Sequence, residues 1–272
     1  MSKTMKIILL VLGGIIGGIW GWLDNAPRHS YHEEAAEEVD GAGIEIEYAT
    51  TLSDRPEQII KHTAYTVSFN SEWQLPNWVG YELTNNETFG DVPRSKKFTT
   101  DPLVEGRCAT TDDYTHSGYD RGHMAPAADM KWSQTAMDES FYTSNICPQN
   151  RNLNAGDWND LEEYARVWAR MYNYIYIVCG PVVGKNPKTI GENKVAVPEG
   201  FFKVFLRKDK PTNSWKTIAF YFKNEARNRN LDVYIKSVNE IEAISGIDFF
   251  AFLPDDIETA IESQTNISDW IF

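Results

Sequence analysis

Tyr119-Asp120-Arg121-Gly122-His123-Met124-Ala125-Pro126 sets an acid, a guanidinium, a glycine and an imidazole in four consecutive positions, 120–123. A histidine exchanges a proton near neutral pH, its unperturbed pKa being about 6.5. The neighbouring arginine carries a fixed charge on a planar donor fork that suits phosphate oxygens. Glycine lets the backbone turn sharply or approach another group closely. Pro126 interrupts any helix, so His123 is expected at a strand end or in a loop, where catalytic groups often lie. Alone, the stretch reads equally well as a charged turn whose histidine is satisfied by the nearby carboxylate.

The chain of 272 residues is long enough for one large domain or two small ones. Its formal net charge of −13 opposes non-specific binding to a polyanion. The charge is unevenly spread. Residues 1–60 hold 4 Lys/Arg against 10 Asp/Glu, whereas Arg94, Lys96, Lys97, Arg107, Arg121, Lys131 and Arg151 surround the key stretch in sequence. A bound cation would offset the repulsion further.

Lys3 and Lys6 precede an uncharged, Ile-, Leu- and Gly-rich run from Ile7 to Leu23. It would span about 25 Å as a helix, slightly short of a bilayer core of about 30 Å. No clean small-x-small cleavage site follows, and Trp20-Gly21-Trp22-Leu23 resembles an interfacial aromatic anchor. Residues 1–23 are therefore expected to be a membrane anchor in preference to a cleaved signal. The N-terminal lysines would stay on the cytoplasmic side and place the rest outside, as an extracytoplasmic, anchored or secreted protein. The odd count of three cysteines excludes a fully paired set; one bridge, such as Cys108 to Cys147, is compatible with an oxidising compartment, and Cys179 reads as a buried thiol.

Residues 24–60 read as an acidic tether, with Ile44-Glu45-Ile46-Glu47-Tyr48 as an edge-strand candidate. A compact domain is expected over 61–272. Ala64–Phe69, Trp78–Leu83, Phe141–Ile146, Tyr174–Cys179, Phe201–Arg207 and Thr217–Phe222 have strand character. Gly180-Pro181 is expected to end the fourth of these. The polar stretch 84–115 reads as a surface excursion. Leu161, Tyr164, Ala165, Trp168, Met171 and Tyr172 recur at helical spacing and predict a helix over about 156–172, with Asp157 as its start signal. A second helix is predicted over 237–244, stopped by Gly246. Strands and helices without regular alternation indicate an α+β fold.

The segment Ser144-Asn145-Ile146-Cys147-Pro148-Gln149-Asn150-Arg151-Asn152-Leu153-Asn154 ends where the long helix begins. Amide and carboxylate oxygens are hard ligands suited to Mg²⁺, which keeps most of its waters and needs few protein ligands. On composition alone, Asn154 reads more readily as a helix cap than as a ligand.

Asp120-Arg121-Gly122-His123, Ser144-Asn145, Pro148-Gln149, Leu153-Asn154, Trp158 and Leu161-Glu162 closely resemble the DNA/RNA non-specific endonuclease family. The likeness continues through Cys179-Gly180-Pro181-Val182, Phe202-Lys203-Val204 and Gly246-Ile247-Asp248-Phe249-Phe250, over roughly residues 62–256. The resemblance implies a ββα-metal (His-Me finger) nuclease core in an α+β domain, with a mixed, largely antiparallel sheet flanked by helices. It also implies a Mg²⁺-dependent endonuclease in which Mn²⁺ substitutes, acting on DNA and RNA. His123 would be the general base and Asn154 the Mg²⁺ ligand. Asn145 and Glu162 would support the site and its metal-bound water, and Arg121 would add charge or orient the site. The family's upstream phosphate-contacting arginine matches Lys96 here, with Arg94 two residues earlier, so both are candidates. The expected partners are the nucleic-acid substrates and a membrane, with a homodimer left open. Two other readings remain at this stage: a non-catalytic nucleic-acid-binding or scaffold protein on the same core, and a zinc site from Cys108, His116, His123 and Cys147.

Overall fold

The computed structural model describes residues 49–52, 54–226 and 229–272. The expected anchor and the edge-strand candidate at 44–48 lie outside them. Among the described residues, no helix is long and apolar enough to cross a membrane.

The folded part begins before residue 61. Strands β1 (Ala49–Thr51) and β2 (Gln58–Lys61) come from the stretch expected to be tether. In β2, Ile60 is buried beside exposed flanks, so one apolar contact point suffices to recruit a short edge strand. Strands β3 (Thr66–Asn70) and β4 (Leu75–Thr84) follow, buried along nearly their whole length. The polar stretch after β4 is largely irregular, as expected, and leads into β5 (Asp120–His123). After a short helix, α1 (Gln134–Glu139), the strand expected at Phe141–Ile146 appears instead as β6 (Ile146–Gln149). Residues Thr143–Asn145 are a 3₁₀ turn whose buried side chains bond the carbonyls of Ala109 and Ala125, contacts with distant segments that override local strand propensity.

Helices α2 (Arg151–Ala155) and α3 (Asp157–Tyr172) meet at Gly156. Asp157 is the first residue of α3 rather than its cap; its buried carboxylate accepts from the Tyr234 hydroxyl and the Arg229 amide. Next come β7 (Tyr174–Val182), the ribbon of β8 (Thr189–Ile190) and β9 (Val195–Ala196), β10 (Gly200–Asp209), β11 (Ser214–Lys223) and β12 (Ile235–Lys236). The chain closes with α4 (Val238–Ser245), β13 (Ile247–Phe249) and α5 (Asp255–Glu262). Ser237 and Glu240 form a capping box at the start of α4, and Gly246 ends it at φ 66°, a left-handed conformation that glycine adopts without strain.

The main sheet has seven antiparallel strands in the order β12-β11-β10-β7-β4-β3-β2. Pro181 lies inside β7 instead of ending it. There the pairing with β4 has already stopped at Cys179, and Pro181 faces only Phe201 of β10, so a missing amide donor is tolerated. Both faces of the sheet are covered, which explains the nearly unbroken apolar character of β7 and β10. On one face Phe201 and Phe205 meet Trp158 and Trp168 of α3, with ring centroids 5.7 and 5.1 Å apart. On the other, Phe202 meets Phe249 of β13 at 5.5 Å. Trp168 also touches Trp270 and Phe272 of the C-terminal segment, and so ties the end of the chain to α3. Such aromatic pairs add about 0.5–1.5 kcal/mol each beyond their buried area.

Candidate active site

β5 and β6 pair antiparallel apart from the main sheet, in the register Asp120↔Gln149, Arg121↔Pro148, Gly122↔Cys147 and His123↔Ile146. The chain then runs directly into α2 and α3, which makes a ββα unit. Gly122 is required here, because a Cβ on it would sit 2.2 Å from Oε1 of Gln149 on the paired strand. The indole of Trp158 donates to the His123 carbonyl at 3.3 Å and pins α3 to the end of β5.

His123 is the last residue of β5 and only 7% exposed. Its ring packs against Phe98 and Phe141, with centroids 5.5 and 4.9 Å away. Its Nε2 is buried without a hydrogen-bond partner. Burial, and secondarily the charge of Arg94, lower its pKa to about 3. The imidazole is therefore neutral at physiological pH.

The bland reading of the key stretch fails on this geometry. The Asp120 carboxylate turns to α2: Oδ1 accepts from Arg151 Nε and Oδ2 from Asn154 Nδ2, each at 3.3 Å. That second bond orients Asn154. With the amide nitrogen committed to a carboxylate, Oδ1 is the face left to meet a ligand. The capping role belongs to Asn150, whose side chain accepts from the amides of Asn152 and Leu153. Asn154 is thus released from the role that its composition suggested. An oriented amide oxygen beside an acidic side chain is a donor set that fits a hydrated hard cation such as Mg²⁺.

Asn145 supports the site through the backbone. It is fully buried, donates to the carbonyls of Ala125 and Ser140, and accepts from the Ala125 amide, all at 2.8–2.9 Å. With both donors and its acceptor engaged, it holds the turn after His123 and does not face a reacting group. Arg121 is also committed. It donates to the Thr111 carbonyl at 2.6 Å, and its guanidinium lies over the Phe98 and Tyr114 rings. It braces the wall of the site, sharing Phe98 with His123.

Arg94 and Lys96 separate clearly. The Arg94 guanidinium lies 5.0 Å from the Phe141 ring centroid, and its charge is felt by both His123 and Glu162. Both residues are exposed, but among the described residues only Arg94 of the two lies over an aromatic ring. Glu162 is buried on α3, and its carboxyl is pushed up to about 7, by burial first, with Lys203 opposing the rise and Asp129 adding to it.

Four residues not named as site candidates from sequence complete this region. Lys203 of β10 is 0% exposed, with Nζ 3.6 Å from Glu162 Oε1 and 4.3 Å from the Trp158 ring centroid. Asp129 accepts from Arg166 at 2.9 Å and from the Tyr81 hydroxyl at 3.1 Å. The available signal for Lys203 was a lone cation inside an otherwise apolar strand, Phe201 to Leu206.

The zinc reading is not supported. Among the described residues, the metal-ligating side chains that converge are elsewhere, and all three cysteines are free. Cys108 lies against Thr143, and Cys179 is buried against the Met124 carbonyl, as a core thiol should be. His62 is buried against Asp101, while His116 is at the surface.

Comparison with known proteins agrees with this architecture. The family model described as DNA/RNA non-specific endonuclease matches residues 43–256. The chain is 37% identical over 207 residues to the mitochondrial nuclease EXOG of Danio rerio, covering 71% of this chain and 60% of that protein. It is 39% identical over 161 residues to mitochondrial endonuclease G of Bos taurus, covering 55% and 54%. It thus spans less than two thirds of the length of either relative. A crystal structure of an EndoG/EndoGI complex superposes with a TM-score of 0.69 at 28% identity, over 74% of this chain and 89% of that one. Because the match runs through every element of the ββα unit and on across the main sheet, the chain belongs to the DNA/RNA non-specific endonuclease family.

Proposed function

We propose that this protein is a Mg²⁺-dependent, sequence-non-specific endonuclease that hydrolyses phosphodiester bonds of DNA and RNA. The observation that carries the reading is the His123 imidazole, neutral and unpartnered at Nε2, on the strand whose Asp120 orients Asn154. A neutral imidazole with an open ring nitrogen accepts the proton of a water as that water attacks phosphorus. The bond to the departing ester oxygen breaks as the new P–O bond forms.

Arg94, rather than Lys96, meets a non-bridging phosphate oxygen, where its charge and donor fork add most. Asn154 Oδ1 would hold the divalent ion; when bound, the ion would supply Lewis-acid neutralisation of charge on the phosphate oxygens, and Mn²⁺ would substitute for Mg²⁺. Glu162, in its ionised form, accepts hydrogen bonds from water at the site. Asn145, Asp120 and Arg121 position these groups. Contacts to phosphate alone carry no sequence information, so cleavage is indifferent to sequence and tolerates either sugar. Residues 1–23 would hold the enzyme outside the cytoplasm, which fractionation of cells expressing the full chain tests.

The deciding experiment is plasmid nicking by the purified full chain with and without Mg²⁺. Mg²⁺-dependent nicking that falls by about 10²–10⁴-fold in His123→Ala is expected. Tight DNA binding with no cleavage would favour the non-catalytic reading, and full activity in His123→Ala would remove the base.

A further inference from the structure

On the opposite face of the sheet from α3, three elements bring carboxylates together. Glu242 comes from α4, Asp248 from β13 and Glu262 from the last residue of α5. One oxygen from each lies within 4.8 Å of the others. Glu242 is held in place by the Phe249 amide at 3.0 Å. Glu258, one turn before Glu262 on α5, adds a fourth acid to the surroundings.

Glu262 is only 7% exposed, and its Oε1 is buried with no hydrogen-bond partner; Glu258 Oε1 is in the same condition. Among the described residues, none of these four acids except Glu242, through its backbone contact, is met by a donor from outside the group, and none is ion-paired to a Lys, Arg or His. Burial and then Glu242, Glu258 and Asp248 push the Glu262 carboxyl up to about 8. Like charges at this spacing repel, and one proton shared between two acids satisfies only that pair.

We infer that Glu242, Asp248 and Glu262 form a second divalent-cation site, selective for Ca²⁺, that fastens α4, β13 and α5 together. Three carboxylates in one group exceed the one or two that Mg²⁺ uses while keeping its waters, and suit Ca²⁺, which takes about six to eight oxygens. Burial of Glu262 also favours the ion that gives up its waters more readily. The ion would stabilise more than a loop. β13 pairs with β1, so the site sits where the first described strand of the domain is secured. The site is independent of the nuclease reading.

The test uses the full chain, stripped with EDTA and dialysed, and titrated with CaCl₂ by calorimetry and thermal melting. Asn154→Ala removes the proposed Mg²⁺ site from the count. One saturable equivalent of Ca²⁺ is expected in both the wild type and Asn154→Ala. Tm should rise by about 5–10 °C at a hundredfold excess over Kd. Glu262→Gln and Asp248→Asn should each weaken binding at least about tenfold, and Glu262→Gln should melt higher than the calcium-free wild type at alkaline pH, above about 8, where the buried glutamate is charged. No saturable binding at millimolar CaCl₂ in Asn154→Ala overturns the inference, as does unchanged affinity in both cluster variants. Ion-free protein that gains stability from pH 8 to pH 5 and ignores calcium would show a proton-holding cluster instead, and also overturns it.

Discussion

Lys203 places its Nζ 3.6 Å from Glu162 Oε1 while lying over the face of Trp158, the residue whose indole holds the His123 carbonyl. A buried cation from the main sheet thereby joins the carboxylate of the helix to the strand that carries the imidazole. Removing one partner of a buried pair leaves the other uncompensated.

Lys203→Met tests that link through pH. The Glu162 carboxyl is raised from 4.5 to about 7, and Lys203 opposes the rise. The stability that this group contributes is present below about 4.5 and lost as pH rises through about 7. Without Lys203 the carboxyl should hold its proton to higher pH, and the acidic limb of kcat/KM should move to higher pH with it. Destabilisation should reach about 3–5 kcal/mol at pH 8 and be smaller at pH 5. Denaturation at both pH values and a pH–rate profile check this; an unmoved acidic limb would rule out the coupling.

His123 carries the opposite sign. Its folded pKa of about 3 lies below the ordinary value of 6.5, so its stability contribution is present above 6.5 and is lost as pH falls towards 3. His123→Ala should therefore lose less stability than the wild type between pH 7 and pH 4 while losing nuclease activity. Guanidinium denaturation at the two pH values measures it.

Arg94→Ala should lower kcat/KM on plasmid DNA by about 10–100-fold, whereas Lys96→Ala should leave it within about twofold. The contrast follows from Arg94 being felt electrostatically at His123 and Glu162. Equal losses in both variants would place the phosphate contact elsewhere.

Asp120→Ala should raise the MgCl₂ concentration that the reaction needs by about 10–100-fold, because it frees the Asn154 amide to rotate. Raising MgCl₂ should restore most of the rate. A loss that added metal does not repair would mean that Asp120 acts on something other than Asn154.

Much of this was legible locally. The 3.6-residue recurrence of Leu161, Ala165 and Trp168 put one buried face on α3, and each of them is buried. The left-handed Gly246 and the strand-end placement of His123 likewise follow from neighbours in sequence. Pro181 and the Phe141–Ile146 segment were misread because local propensity does not reveal which strand stands alongside, nor which side chains will claim the backbone.

The sequence alone determined the inventory: an imidazole, amides and a carboxylate at family spacing, and apolar periods that separate an α+β domain from its acidic N-terminal stretch. Tertiary structure decided what each polar group is free to do. Asn145 is saturated by Ala125 and Ser140, Arg121 is tied to Thr111, and Asn154 is steered by Asp120 from 34 positions away. Lys203 and Glu162 meet only because β10 packs beneath α3. The reason is physical: residue type sets which bonds a side chain is able to make, whereas burial and contacts between distant segments determine which of them are made.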